Sequence, residues 1–247
     1  MSTPPERWWG RPFAESRWAL ELARLSVDPV LAGCGVCRGD GRPVVLMPGF
    51  LAGDQTLLPL AAWLLRIGHR PYTCGFVANV DCSDRALDRV DRRVEQLHRR
   101  HGRRVALVGH SRGGHYARAL AHRRPDRVSH AVSLGADLQH MLGISAPTQA
   151  VVHVARRGVT ALGRARAERC LTADCTCAFA RDFAAPLHAD RVRFTSVYSK
   201  GDGVVRWPGS LIDGADCVEV SGSHVGLIFN RNVYRAVADA LAQPELP

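Results

Sequence analysis

The sequence has almost no lysine: of its 33 basic residues only Lys200 is one, and the other 32 are arginines. The formal net charge of +10 first suggests an anionic partner. The arginines are spread along the chain without aromatic interleaving or a nucleic-acid motif, so the expectation is no nucleic-acid binding, only loose attraction to acidic surfaces. An uninterrupted apolar run of about 18 residues is also missing, which excludes a transmembrane helix. Met1 to Gly10 lacks the basic start and apolar core of a secretory leader, and the expectation is a soluble, cytoplasmic protein. No tight His-containing pair accompanies Cys34-Gly-Val-Cys37 or Cys175-Thr-Cys177, so neither cysteine pair reads as a zinc site. The cysteines number eight (Cys34, Cys37, Cys74, Cys82, Cys170, Cys175, Cys177 and Cys217), and without an export signal they are expected to stay reduced, with a disulfide among Cys170, Cys175 and Cys177 as the alternative.

What is present fits one large α/β domain over residues 1–247, at 46% hydrophobic and 23% charged residues. Residues 13–32 place Phe13, Trp18, Leu22 and Leu25 at helical spacing, so residues 1–42 read as an amphipathic helix and a Gly- and Cys-rich connection. Strands are predicted at Pro43–Met47, Pro71–Phe76, the apolar run that opens at Val105, Val128–Leu134, Arg191–Tyr198 and Ala215–Val220. Helical segments lie between them, including 84–101 with its stripe of Leu87, Val90, Val94 and Leu97, and a closing helix runs from Val225 to Ala242. This alternation gives a doubly wound, mostly parallel sheet. The rhythm breaks over 136–189, where helix-like pieces at Gln149–Leu162 and Arg164–Arg169 and the stretch CLTADCTC form a helical cap insertion.

The stretch VALVGHSRGGHYARAL, Val105 to Leu120, is an apolar strand that turns at once into a helix. At its centre, Gly109-His110-Ser111-Arg112-Gly113 matches the GxSxG nucleophile elbow in the strand–turn–helix context that the pattern requires. A serine on such a turn has a strained backbone, so the residues two before and two after it must be small, and Gly114 lets the new helix lie close to the sheet. A serine hydroxyl needs an adjacent base, and that base needs a fixed anion behind it. Asp202, in the turn after the fifth strand, is the expected acid. His224, in the turn after the sixth, is the expected base. Asp137, after the fourth strand, is the alternative acid; Asp213 and Asp216 lie at the wrong end of their strand, and the elbow directs His110 and His115 away from the hydroxyl. The Gly-rich turn Pro48 to Asp54 after the first strand supplies one oxyanion donor, the N–H of Phe50, and the N–H of Arg112 supplies the other.

The pieces VVLMPGFLAGD, VALVGHSRGG, VYSKGDGVV and VSGSHVGLIFN resemble the serine α/β-hydrolase superfamily, and more closely its bacterial lipase and esterase-like members. The resemblance implies an α/β-hydrolase fold and cleavage of a small-molecule ester or acyl substrate through an acyl-enzyme on Ser111, with no metal or organic cofactor. Acyl transfer or thioester release is the enzymatic alternative. A non-catalytic binding protein of the same fold has no reason to retain serine, acid, base and both glycines together. Pro48 stands where many lipases have His, Arg112 puts a cation directly after the nucleophile, and the N-terminal helix and cysteine-rich insertion lie outside the shared core. Substrate choice therefore falls to 136–189 and Arg112.

Overall fold

The protein is described by a computed structural model covering residues 9–10, 12–163, 172 and 174–247. Its frame is a six-stranded sheet in the order β2-β1-β3-β4-β5-β6. The strands are β1 (Pro43–Met47), β2 (Arg70–Tyr72), β3 (Val105–His110), β4 (Val128–Leu134), β5 (Arg193–Tyr198) and β6 (Asp216–Glu219). All five pairings are parallel. Strands β1, β3 and β4 are buried along their whole length; β1 and the first four residues of β3 accordingly read as apolar runs without alternation, while β4 also buries Ser129, His130 and Ser133.

Helices cover both faces. On one, α3 (Ser83–His101), α4 (Arg112–Arg123) and the short α6 (Ala178–Ala184) pack Leu87, Val94, Tyr116 and Phe179 against Val45, Met47 and Leu107. On the other, α1 (Trp18–Val27), α2 (Leu58–Arg66) and α7 (Arg231–Ala242) pack Leu25, Trp63 and Tyr234 against Val44, Leu46 and Val108. Successive strand residues thus feed opposite cores. Trp63 joins α2 to α7 and to the segment after α1: it is fully buried, its Nε1 donates to the Val30 carbonyl at 2.7 Å, and its ring lies 4.6 Å from that of Tyr234. The direction of winding reverses between β1 and β3, so the carboxyl ends of those strands open a crevice.

Several sequence expectations change. Strand β2 ends at Tyr72 instead of Phe76, because the Asp54 carboxylate draws the N–H groups of Gly75 (2.7 Å) and Phe76 (3.1 Å) away from the sheet. The N-terminal helix is broken into a 3-10 turn (Pro12–Arg17), α1, and a second 3-10 turn (Pro29–Ala32) capped by the Asp28 side chain. Its inward residues are Glu21 and Leu25, while Phe13 is 91% exposed and Trp18 42%. The closing helix is likewise split, into a 3-10 turn (Val225–Phe229) and α7, by the Asn230 cap.

Between β4 and β5 stand α5 (Ala146–Ala161), which buries only Val152 and Val159, and α6, which joins the core through Phe179 and Phe183. The expected helical piece Arg164–Arg169 and Cys170 lie outside the described residues. Cys175 and Cys177 are free thiols, with the Cys175 Sγ–H donating to Cys177 Sγ at 3.1 Å. Among the described residues, no helix is long and apolar enough to cross a membrane.

Replacing Trp63 by Ala removes a buried indole and a hydrogen bond together. The expected cost is about 3–5 kcal/mol of unfolding free energy, read from the shift of the urea midpoint.

Candidate active site

Ser111 sits where β3 ends and α4 begins, with φ 52° and ψ −119°, a left-handed backbone that a non-glycine residue adopts only when its surroundings force it. The force is steric. A Cβ at Gly109 would overlap the Gly113 carbonyl, one at Gly113 would overlap the Met47 carbonyl of β1, and one at Gly114 would overlap the Ser133 hydroxyl of β4. Without side chains at these three positions, the first turn of α4 lies directly on the strand ends. The Ser111 N–H donates to the Leu134 carbonyl at 2.8 Å and fixes the turn to β4.

Beside it, the Pro48–Asp54 turn brings Phe50 to the same pocket as Ser111. Among the described residues, no acceptor takes the backbone N–H of Phe50 or of Arg112. The second is also the first N–H of α4, at the positive end of its dipole.

The turns after β5 and β6 bring Asp202 and His224 together. His224 Nδ1–H donates to Asp202 Oδ2 at 2.7 Å, with both side chains buried. The other carboxylate oxygen, Oδ1, accepts from the N–H groups of Val204 (2.8 Å) and Val205 (2.7 Å). This fixes the tautomer: the proton is on Nδ1, and Nε2 is left as an acceptor. Burial opposes a charge on His224, but the Asp202 charge and hydrogen bond, helped by Glu15, outweigh it and raise its pKa above the ordinary 6.5. Among the described residues, no hydrogen bond joins Ser111 Oγ to His224, a bond that commonly tightens only when substrate is bound.

The alternative acid does not reach the histidine. Asp137 is buried, and its Oδ1 caps the N–H groups of Gln139 (2.9 Å) and His140 (2.8 Å); burial raises its pKa despite those bonds. His110 is not remote from the site. Its Nε2–H donates to the His224 carbonyl at 3.0 Å and its ring lies 4.9 Å from that of His224; burial holds its pKa down to about 3, so it stays neutral. His115 lines the pocket, and burial likewise pushes it down to about 3.

Arg112 also departs from expectation. Its guanidinium donates to the carbonyls of Asn79 (2.8 Å) and Asp81 (2.6 Å) and to the Ser83 hydroxyl (3.0 Å), and it lies over the rings of Phe50 and Tyr116. Its charge is committed to the loop before α3. Asn79, which sequence reading passes over, is fully buried at the centre of this loop. Its Nδ2–H donates to the Pro48 carbonyl at 2.8 Å, its N–H donates to the Ala52 carbonyl at 2.8 Å, and its Oδ1 accepts from Tyr116 at 3.0 Å. Asn79 therefore ties the Phe50 turn to α4, a role with no local sequence signal.

A pocket of about 700 Å³, mouth included, opens at Ser111. Its walls are mainly apolar: Met141, Leu142, Ile144, Val152, Phe179, Val204 and Val205, joined by Phe50 and Cys175. A mainly apolar lining with a few polar groups is the character of a small-molecule site.

A winding reversal in a parallel sheet, with a strained serine turn in the crevice and a histidine–carboxylate pair on the adjacent turns, defines the α/β hydrolase class of proteins. A family described as the alpha/beta hydrolase fold matches residues 43–207, and the chain belongs to it. Solved structures of this fold include a monoacylglycerol lipase of Paleococcus ferrophilus at 17% identity and TM-score 0.55, covering 83% of this chain and 96% of that one. A carboxylesterase of Bacillus subtilis is similar at 11% identity and TM-score 0.56, covering 93% and 99%. An enol-lactonase of Burkholderia xenovorans matches at 16% identity and TM-score 0.53, covering 83% and 93%.

The elbow glycines give a direct prediction. Gly109→Ala drives a methyl into the Gly113 carbonyl, and the expected result is a loss of at least about 2 kcal/mol of stability in chemical denaturation; an unchanged midpoint would contradict the contact.

Proposed function

We propose that the protein hydrolyses carboxylic esters through an acyl-enzyme on Ser111. The observation that carries this reading is a strained serine at the floor of a mainly apolar pocket, with two unused N–H groups beside it and a histidine whose tautomer Asp202 fixes. In this reading His224 Nε2 takes the Ser111 proton as Oγ attacks the acyl carbonyl. The N–H groups of Phe50 and Arg112 hold the oxygen as it becomes negative, and each such donor is worth about 2.7–4 kcal/mol of transition-state stabilisation. His224 then protonates the leaving alcohol, and water activated by the same imidazole releases the acid. Asp202 holds the imidazole in place and stabilises the imidazolium.

The pocket favours an uncharged, apolar acyl group. The Arg112 guanidinium is already satisfied and His115 is neutral, so neither offers an anion a free charge. The segment 136–189 serves as the cap: Met141, Leu142, Ile144 and Val152 from it form one wall and exclude water from the acyl-enzyme. We place the enzyme in the cytoplasm, a reading supported by free thiols at Cys34, Cys37, Cys74, Cys175, Cys177 and Cys217.

Two measurements test the hydrolysis. The wild type is expected to label with a fluorophosphonate probe and to cleave nitrophenyl esters, and Ser111→Ala to lose both, with kcat reduced at least about 10⁴-fold; turnover surviving in that variant would refute the reading. The base must be neutral to accept a proton, so kcat/KM should fall as pH drops through the raised His224 pKa. The acid limb is therefore expected above the ordinary imidazole value of 6.5. A limb at 5 would place the essential group elsewhere.

A further inference from the structure

The segment before β1 lies outside the matched family region, yet two of its carboxylates reach the turns that carry Asp202 and His224. Glu15, on the first 3-10 turn, accepts through Oε1 from the N–H groups of Gly203 (2.9 Å) and His224 (3.0 Å), and through Oε2 from that of Val225 (2.9 Å). Gly203 directly follows Asp202, so a single carboxylate bridges the acid turn and the histidine turn. Glu21, on α1, is buried and accepts from the N–H and the hydroxyl of Ser223, both at 2.8 Å. The seat is close-fitting: a Cβ at Gly226 would overlap the Glu21 carboxylate, and one at Gly10 would overlap the Gly203 carbonyl.

A carboxylate that exchanges water for three backbone N–H groups from two turns fixes those turns relative to one another, because hydrogen bonds to an ionised acceptor are the strong ones. It also sets a negative charge at the backbone of His224, whose imidazole becomes imidazolium in the proposed reaction. Glu15 does not line the substrate pocket, so any part it has in the reaction runs through His224.

We propose that Glu15 is a positioning residue for the hydrolysis: its carboxylate clamps the Asp202 turn to the His224 turn and, after Asp202, supplies a second negative charge favouring the His224 imidazolium. This rests on the hydrolase reading above. The groups that face His224 are Asp202 from the β5 turn, neutral His110 from the end of β3, and Glu15; Glu21 faces the same turn through Ser223. Of these, Asp202 and Glu15 raise the proton affinity of the imidazole. Glu15→Gln removes the second charge and leaves the first in place.

The test is an NMR titration of His224, assigned with the H224N variant, alongside pH profiles of nitrophenyl ester hydrolysis. E15Q is expected to bind the imidazole proton on the order of tenfold more weakly than wild type. Its kcat/KM acid limb should move to lower pH by the same amount, with kcat reduced and KM unchanged. Glu15→Asp keeps the charge on a shorter arm, so the wild-type titration should be retained with a lower kcat. The control is Asp28→Asn, which breaks the pairs with Arg231 (3.3 Å) and Arg235 (2.7 Å) that hold the same segment. It is expected to lower Tm while His224 titrates as in wild type. An unshifted His224 in E15Q, or an equal shift in D28N, overturns the proposal. Should E15Q fail to fold, E15D decides, since wild-type kcat in that variant removes the clamp. If the wild type neither turns over ester nor labels, the hydrolase reading fails, and the titration still reports on the Glu15 charge.

Discussion

The close approach of backbone to backbone at the start of α4 is the constraint on which the site depends. Gly113 rests against the Met47 carbonyl of β1 and Gly109 against the Gly113 carbonyl, leaving no room for a side chain at either place. Held there, α4 starts on top of the sheet instead of beside it. Ser111 is pushed to positive φ, and the first N–H of α4 opens beside the Phe50 turn. The Asn79 loop secures the arrangement by tying that turn to Tyr116, while Arg112 fastens the loop to the helix. The winding reversal between β1 and β3 provides the crevice, and the glycines let the helix occupy its edge.

This part of the protein was legible from sequence because each requirement leaves a local mark. Strand β1 carries its predicted limits because a strand buried on both faces here is continuously apolar, and β4 carries its own although it also buries Ser129, His130 and Ser133. The elbow is visible because only glycine fits two residues on either side of the serine. Asp202 ranks above Asp213 and Asp216 by its place at the strand's carboxyl end, and it is the acid that meets His224. What was not legible depends on contacts made far along the chain. Hydrophobic spacing assigned Phe13 and Trp18 to the inner face of the N-terminal helix, whereas the inner face holds Glu21 and the neighbouring turn holds Glu15. Patterning treats a carboxylate as a group that stays in water; here backbone N–H groups take the place of that water. The shortened β2 has the same origin, since the Asp54 carboxylate reaches residues more than twenty positions away.

Charge shows the same contrast between composition and use. A chain with 32 arginines and net charge +10 invites a search for an anion, and Arg112 beside the serine is the obvious candidate. That guanidinium instead spends its donors on two carbonyls and a hydroxyl, stacked over Phe50 and Tyr116. Elsewhere, Arg123 and Arg124 pair with Asp88, Asp91 and Asp182 on the α3/α6 side. Positive charge near the pocket is thus structural, and the pocket wall stays mainly apolar.

The carboxylate bridge also bears on the order in which the molecule assembles. The serine turn is built from β1, β3, β4 and α4, elements within one stretch of chain. The Glu15 bonds to Gly203, His224 and Val225 span 188 to 210 residues. Closing loops of that length carries a large entropic cost and comes late in folding. The elements of the serine elbow can therefore come together before the Glu15 segment reaches the histidine turn.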